Sequence, residues 1–367
     1  MHNLNNHLSP RGVKLSIALI SLLVISVLNV SGQVSNEPVV TPVTPQEMYA
    51  NELEILGDEI ALSFRFLRET VGVRGEAMGG AFAAIADDGS AINANNAGIA
   101  QIRQPHLLAF NPMNFHLNRT SFLGYVHPVG DISSLGSSVT LIRTPKYGEE
   151  STLVTLTYSW ALETETDAYL GVGVKGFSRQ SDAFDTNGVA FDFGLLVKLI
   201  DGNLSFGIAV QNVGPKMKLK LNDMQKLLER AGLESGQLPV FLAIPSKIDL
   251  PYNVKFGTAY KTQSRNFPLL LTGELDIPSI GFMRLSLGGE VWLLNIFAIR
   301  FGYNSQSDRQ PGFTAGLGVR IDRLQFGLGR RSRRLLNAKI KGLQLGYSYL
   351  INEGVQNRHR VYLSMDF

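Results

Sequence analysis

Large apolar residues alternate with small, polar or charged residues along most of the chain after residue 106. In the segment 313–322, for example, Phe313 and Leu317 alternate with Thr314 and Gly316, and the segments 189–199, 204–211 and 253–261 repeat the pattern. A period of two places successive side chains on opposite faces of a β strand. A soluble sandwich also alternates, with its apolar face against a core. Many alternating segments of about ten residues instead favour a barrel with lipid outside and water or a plug inside.

The alternation predicts fourteen strands and an all-β fold, namely a transmembrane β-barrel of the outer-membrane type with antiparallel strands. The predicted strands are 107–113, 120–127, 136–144, 152–162, 168–180, 188–200, 204–214, 252–262, 268–277, 283–294, 297–305, 312–322, 342–351 and 359–367. A further apolar segment, 324–329, is assigned to a continuation of the preceding strand or to a loop, because bacterial barrels have an even number of strands. The barrel domain is therefore expected over residues 105–367.

The C-terminal strand ends on an aromatic residue. Val361, Leu363, Met365 and Phe367 share one face, and Phe367 is the last residue. An alternating strand with a terminal aromatic resembles the assembly signal of outer-membrane barrels. The alternative, an edge strand of a soluble sheet, would leave an apolar edge exposed to aggregation. We therefore favour the barrel.

The N-terminal 32 residues have the features of a signal peptide. Arg11 and Lys14 precede the apolar run 15–30, and Ser31-Gly32 offers small residues for cleavage. An uncleaved anchor is the alternative, but the run is short for a membrane span. The following Pro-, Thr- and Glu-rich segment, residues 33–60, is predicted to be a flexible tether. Export of this kind places the protein in the bacterial outer membrane.

Two insertions interrupt the strand pattern. The insertion 216–249 carries an amphipathic stretch, 222–233, whose apolar residues Met224, Leu227 and Leu228 have helical spacing. With the N-terminus in the periplasm, strand parity places this short helix outside the cell, where it either binds a partner or simply packs on the rim. The second insertion carries basic residues that either bind anionic lipid or an acidic partner or form a solvated turn. These are Arg330, Arg331, Arg333, Arg334, Lys339 and Lys341.

A segment of small residues precedes the barrel. Residues 71–100 are rich in Gly, Ala, Asn and Asp and show neither strand alternation nor a long apolar helical face. Glycine allows close approach of backbones, and Asn and Asp can hydrogen-bond to turns and to a polar wall. We therefore expect residues 61–104 to form a hatch inside the barrel lumen. The candidate hatch and lumen residues are Arg74, Gly75, Met78, Gly79, Gly80, Asp87, Asp88, Asn95, Asn96 and Gly98.

These same residues resemble the N-terminal signature of PorV/PorQ-type proteins, which are relatives of the FadL outer-membrane barrels. Asn96 stands where that family usually has proline, and Ala94 stands where an aromatic is common. The resemblance continues at 211–215, at 250–261 and at 359–361, and it covers most of the chain after residue 60. It implies a FadL-like barrel of fourteen strands with a role in type IX secretion.

Composition narrows the chemistry further. The net charge of +3 gives no reason to expect nucleic-acid binding, and the absence of cysteine excludes disulfides and a Cys nucleophile. Beyond residue 32 the histidines are His106, His116, His127 and His359, and none forms a close metal-binding pair. The glycine-rich stretch lacks the features of a phosphate loop, and we assign Asp87-Asp88 to a turn or a helix cap. We expect no enzyme activity, no cofactor and no metal.

Two functions remain open at the level of sequence. A PorV-like protein would be a docking or shuttle component that receives secreted cargo and contacts secretion-system subunits through its extracellular loops. A FadL-like protein would instead carry hydrophobic small molecules past its hatch. A structural barrel without either activity is a third possibility. The expected surroundings are outer-membrane lipid in every case, and the resemblance favours docking over transport.

Overall fold

A computed structural model describes residues 67, 72–112, 119–146, 149–181, 184–221, 247–262, 264, 267–307, 310–321, 341–351 and 358–367. The predicted signal peptide and tether, the segments 222–233 and 324–329 and the basic cluster up to residue 340 lie outside these residues. Within them, no helix has the length and apolar character needed to cross a membrane.

Sixteen strands are present in this part of the chain. They are β1 (His106–Pro112), β2 (Arg119–Val129), β3 (Ser133–Lys146), β4 (Glu149–Glu163), β5 (Ala168–Ser181), β6 (Phe184–Leu199), β7 (Leu204–Val213), β8 (Met217–Leu221), β9 (Lys247–Ile248), β10 (Asn253–Lys261), β11 (Leu269–Pro278), β12 (Arg284–Leu293), β13 (Phe297–Ser307), β14 (Gln310–Arg320), β15 (Lys341–Ile351) and β16 (Arg358–Asp366).

Fourteen of these strands close into an antiparallel barrel. Each strand pairs with its sequence neighbour, except that β7 pairs with β10. Closure is complete because β1 pairs with β16, from His106 opposite Asp366 to Pro112 opposite Arg360. Each of the fourteen predicted strands overlaps one barrel strand, so the predicted fold is confirmed.

The strands β8 and β9 are additions that the alternation did not predict. They lie within the predicted insertion and extend the sheet beyond the barrel, where β8 pairs with the first residues of β6 and β9 pairs with β8. The two residues of β9 are too few to show a period, whereas β8, MKLKL, alternates over five residues but was included in the insertion.

The two faces of the wall differ as the alternation predicts. On β4, Leu156 and Trp160 are 47% and 45% exposed, whereas Thr157 and Ser159 are 1% and 4% exposed. Large apolar side chains are exposed in the same way on most barrel strands. Exposed apolar side chains on so many neighbouring strands are expected where the surroundings are lipid.

Val197 and Ile208 are among the residues of the apolar face that are less exposed than the alternation predicts. Val197 is 4% exposed and Ile208 is 8% exposed. Phe206 lies directly opposite Val197, and Leu195 and Phe256 lie opposite Ile208. Side chains opposite each other across strands share a face, so these large neighbours cover the two residues.

The barrel has two distinct ends. At the turn end, residues 130–132, 164–167, 200–203 and 294–296 join the strands, and Phe367 lies there because its backbone N–H donates to the carbonyl of Pro105 at 3.0 Å. At the loop end, residues 214–252 join β7 to β10 and carry β8 and β9. The predicted insertion therefore lies at the end opposite the C-terminus.

Candidate functional site: the hatch and the lumen wall

The described part of the predicted hatch, residues 72–104, folds into short helical turns. These are α1 (Val73–Glu76), α2 (Ala91–Ala94) and a 3-10 helix (Asn96–Gln101). Almost every residue from 72 to 102 is buried, and Asp87 is exposed. Glycine and alanine keep the chain narrow, so one compact segment is packed against the inner face of the wall.

Glycines of the wall make room for the hatch backbone. A Cβ added to Gly207 would lie 2.1 Å from the carbonyl oxygen of Ala83, and one added to Gly302 would lie 2.1 Å from the nitrogen of Gly79. Both distances are far below a van der Waals contact, so only glycine fits. The same applies at Gly171, Gly194, Gly288 and Gly316. Backbone contact between hatch and wall therefore reaches strands from β5 round to β14.

The carboxylate of Glu274 on β11 is one anchor of the hatch. Its Oε2 accepts hydrogen bonds from the backbone N–H groups of Phe82 at 2.9 Å and Ala83 at 2.8 Å. The ammonium of Lys255 lies 3.7 Å from the other carboxylate oxygen. Two N–H donors and a nearby cation therefore surround a carboxylate that is 3% exposed.

Thr314 and Asn304 hold the turn at Gly79. The Thr314 hydroxyl accepts from Gly79 N–H at 2.9 Å and donates to the Ala77 carbonyl at 3.1 Å. The Asn304 amide donates to the Gly79 carbonyl at 3.0 Å. Gly79 has a φ of 72°, which a residue with a side chain rarely adopts. The glycine therefore permits this turn, and the side chains of the wall hold it in place.

The asparagines of the hatch donate hydrogen bonds both to the wall and within the hatch. Asn95 donates to the carbonyls of Ala83 at 2.8 Å and Leu195 at 3.0 Å. Asn96 donates to the carbonyl of Asp192 at 3.1 Å, and Gln211 on β7 donates to the carbonyl of Asn93 at 2.6 Å. The Ala83 and Asn93 carbonyls belong to the short turns of the hatch, which leave such groups free, whereas the Leu195 and Asp192 carbonyls belong to β6 of the wall.

Arg74 connects the hatch to the wall by charge. Its Nε and one Nη donate to the two oxygens of Glu290 on β12, each at 2.8 Å, and its other Nη pairs with Asp87. Arg300 on β13 donates to Glu290 at 2.6 Å. Burial alone would lower the pKa of Arg74, but Asp87 and Glu290 raise it more, so its pKa is held well above its ordinary value. The guanidinium therefore stays charged.

The remaining candidate hatch residues also lie in this segment. Gly98 packs so closely on Ala86 that a Cβ would lie 2.1 Å from its carbonyl oxygen, and Met78 fills the space beside Gly288. Gly80 N–H donates to the Gly75 carbonyl at 2.9 Å. Asp88 accepts from Ser90 N–H at 2.9 Å, which is the turn role assigned from sequence.

The wall partners of the hatch were not predicted individually. Alternation shows that Glu274, Glu290 and Thr314 face inward, but it cannot show which inward residues meet the hatch. The candidate partner residues Met224, Leu227 and Leu228 lie outside the described residues. The predicted assembly-signal residues Val361, Leu363, Met365 and Phe367 all share the outward face. No cluster of three or more His, Asp or Glu side chains that would suit a metal ion occurs in the described ranges.

One part of the inner wall is apolar and aromatic. Phe110 and Phe122 stack with ring centroids 5.3 Å apart, and they pack with Leu108, Tyr362 and the hatch residue Val73. This aromatic patch lies on β1, β2 and β16 beside the start of the hatch. Elsewhere the inner wall carries polar pairs such as Lys175 and Asp192, whose ammonium and carboxylate are 2.9 Å apart.

Comparison with known proteins agrees with this architecture. A family model described as Uncharacterised protein family (UPF0164) matches residues 50–198. No curated protein matches the sequence significantly.

Among solved structures, the Pseudomonas putida toluene transporter TodX is similar with a TM-score of 0.52 and 12% identity, covering 81% of this chain and 97% of its own. A Pseudomonas aeruginosa FadL homologue has a TM-score of 0.50 and 12% identity, covering 82% and 98%. The Ralstonia pickettii toluene transporter TbuX has a TM-score of 0.50 and 11% identity, covering 81% and 97%. The fold is thus a closed barrel of fourteen antiparallel strands, like those of the FadL-type outer-membrane proteins.

Proposed function

We propose that this protein is a transporter that passes hydrophobic small molecules across the bacterial outer membrane, without chemical conversion. The observation that carries the proposal is the hatch itself. A compact segment lies in the lumen of a closed barrel and is held by side chains that reach it from many strands. The fold likeness to toluene transporters supports this role.

The aromatic patch supplies a surface for an apolar ligand. Phe110, Phe122 and Leu108 offer an apolar inner surface at the start of the hatch, next to Val73. A displacement of the hatch would expose this surface, and burial of apolar area would then favour ligand entry. Such a displacement would break the hydrogen bonds and ion pairs that hold the hatch against the wall.

A reversible cross-link between hatch and wall tests the proposal. The chain has no cysteine, so the pair Ala83→Cys and Gly257→Cys introduces the only two thiols. A Cβ on Gly257 lies 3.4 Å from the Ala83 Cβ, close to the ~3.5–4.5 Å of disulfides. It also lies 2.9 Å from the Ala84 nitrogen, so the hatch must shift by a few tenths of an ångström.

Radiolabelled toluene uptake is measured in cells that carry the double variant. We expect uptake to be lost in the oxidised form and restored by a reductant, while each single-cysteine variant transports as the parent protein does. Equal uptake in the oxidised and reduced forms, with the cross-link verified on a gel, would refute transport past the hatch. Reversal on one folded sample separates a blocked hatch from a misfolded barrel.

The secretion role predicted from the PorV/PorQ resemblance stays a second candidate. Its docking surface would be the insertion 216–249, most of which lies outside the described residues, and the fold comparisons favour transport instead. Deletion of residues 222–246 distinguishes the two. Docking requires loss of co-purifying secretion subunits or cargo from an assembled barrel, whereas transport requires no such partner.

A further inference from the structure

A concave site interrupts the membrane-facing wall on β13, β14, β15 and β16. It has a volume of about 390 Å³ and is lined by outward residues together with the edge of the inner wall. Its lining residues are Ile299, Arg300, Ala315, Gly316, Leu317, Tyr347, Tyr349 and His359. Arg300 and Gly316 reach the site from the inner wall, where Gly316 packs on the hatch residue Ala77.

The depression exists because a small residue stands among large ones. Ala315 faces outward, and its neighbours on the same face include Ile299 and Leu317, which are 46% and 57% exposed. Tyr349 lies directly opposite Ala315, and Tyr347 lies opposite Leu317. The walls of the site are therefore apolar and aromatic, and its base is formed where side-chain volume is missing.

The end of the site nearest the barrel rim is polar. His359 is the second residue of β16 and lies opposite Tyr349, close to the loop end. The Tyr347 hydroxyl is 2.5 Å from His359 Nδ1, and the Tyr349 ring centroid is 4.8 Å from that of His359. When Tyr347 donates to Nδ1, the ring proton is on Nε2, which leaves one oriented donor for a ligand.

We propose that this site binds a glycerophospholipid, with one acyl chain over Ala315 and a headgroup oxygen accepting from His359 Nε2–H. The site lies within the exposed apolar surface, so its surroundings are acyl chains and an unfilled depression would lose their contacts. The polar end lies near the rim, where lipid headgroups and aromatic side chains meet. An acyl chain joined to a headgroup with a hydrogen-bond acceptor fits both the apolar depression at Ala315 and the polar end at His359.

Native mass spectrometry of the full chain tests this proposal after incorporation into vesicles of phosphatidylethanolamine and phosphatidylglycerol and graded delipidation in detergent. We expect the parent protein to retain one phospholipid. Ala315→Leu fills the depression and should lower the retained fraction about tenfold. Tyr347→Phe removes the hydroxyl that fixes the tautomer of His359, and it should lower the retained fraction less. Ala109→Leu is the matched control, because Ala109 also faces outward but lies on β1.

Folding is checked for each variant by heat-modifiable mobility on a gel. Equal retention by the parent protein and by Ala315→Leu would overturn the proposal, and so would equal losses in Ala315→Leu and Ala109→Leu. A second copy of the chain held at this surface, recognised as a dimer that Ala315→Leu dissociates, would overturn it as well. Retention of lipopolysaccharide in place of phospholipid would contradict the assigned ligand.

Discussion

Glu290 is the residue on which the charges of the hatch region converge. It accepts from Arg74, from Arg300 and from the indole of Trp292, and it is 2% exposed. A buried carboxylate with this many donors stabilises its partners only while it is charged, since removing one member leaves uncompensated buried charge. Its removal should therefore affect the hatch and the wall together.

Glu290→Gln should destabilise the folded barrel by about 3–5 kcal/mol, because two buried guanidiniums then lose their shared counter-charge. The check is the thermal unfolding transition in detergent, followed by gel mobility. Glu165→Gln, at an exposed turn residue, is the control and should leave the transition unchanged. A transition at the parental temperature in Glu290→Gln would show that the cluster adds nothing to stability.

Gly207→Ala tests the contact between wall and hatch with the smallest possible change. The added methyl would lie 2.1 Å from the Ala83 carbonyl, so the hatch has to move away at a cost of about 1–3 kcal/mol. We expect faster cleavage of the hatch by added protease in an otherwise intact barrel. Gly176→Ala is the matched control, since a Cβ there meets no atom within 4 Å. Equal cleavage rates in both variants would contradict the close contact.

At the scale of elements, the strands were predictable and the hatch contacts were not. A period of two is local information, so β14 could be recognised from Phe313, Thr314 and their successors alone. The bond from Glu274 to Phe82 N–H joins residues 192 positions apart. Such a pair depends on the stagger of the whole barrel, which no local pattern contains. Composition showed that the hatch is narrow and polar, but not which strands hold it.

The last strand is the element that closes the barrel. β16 pairs with both β1 and β15, and Phe367 continues its outward face with 52% exposure. Phe367→Ala should lower the fraction of folded protein in outer membranes several-fold while leaving the stability of the assembled barrel nearly unchanged, because an exposed side chain contributes little packing. Heat-modifiable mobility of membrane extracts measures the first quantity, and thermal unfolding measures the second.

Ile132→Ala is the control for Phe367→Ala. Ile132 is 60% exposed and lies in the turn between β2 and β3 at the same end of the barrel. If both substitutions reduce assembly equally, the terminal aromatic has no special role. If only Phe367→Ala reduces it, the assembly signal expected from sequence is supported.

For the whole molecule, strand parity fixes which connections lie at the same end of the barrel. It does not fix which end faces the cell exterior. Each barrel strand runs once from one end of the barrel to the other, so successive connections alternate between the two ends. Lys216 and Asp249, which form an ion pair of 3.1 Å, lie at the loop end, and Thr166 lies at the turn end. One label at each end is therefore enough to orient the protein.

Cysteine labelling gives that orientation cleanly, since the parent chain has no thiol to react. We expect Lys216→Cys to react with a membrane-impermeant maleimide in intact cells, and Thr166→Cys to react only after the outer membrane is permeabilised. Both side chains are exposed in the structure, so access depends on sidedness alone. The reverse result would place the loop end in the periplasm. Uptake would then have to begin at the turns instead of the loops.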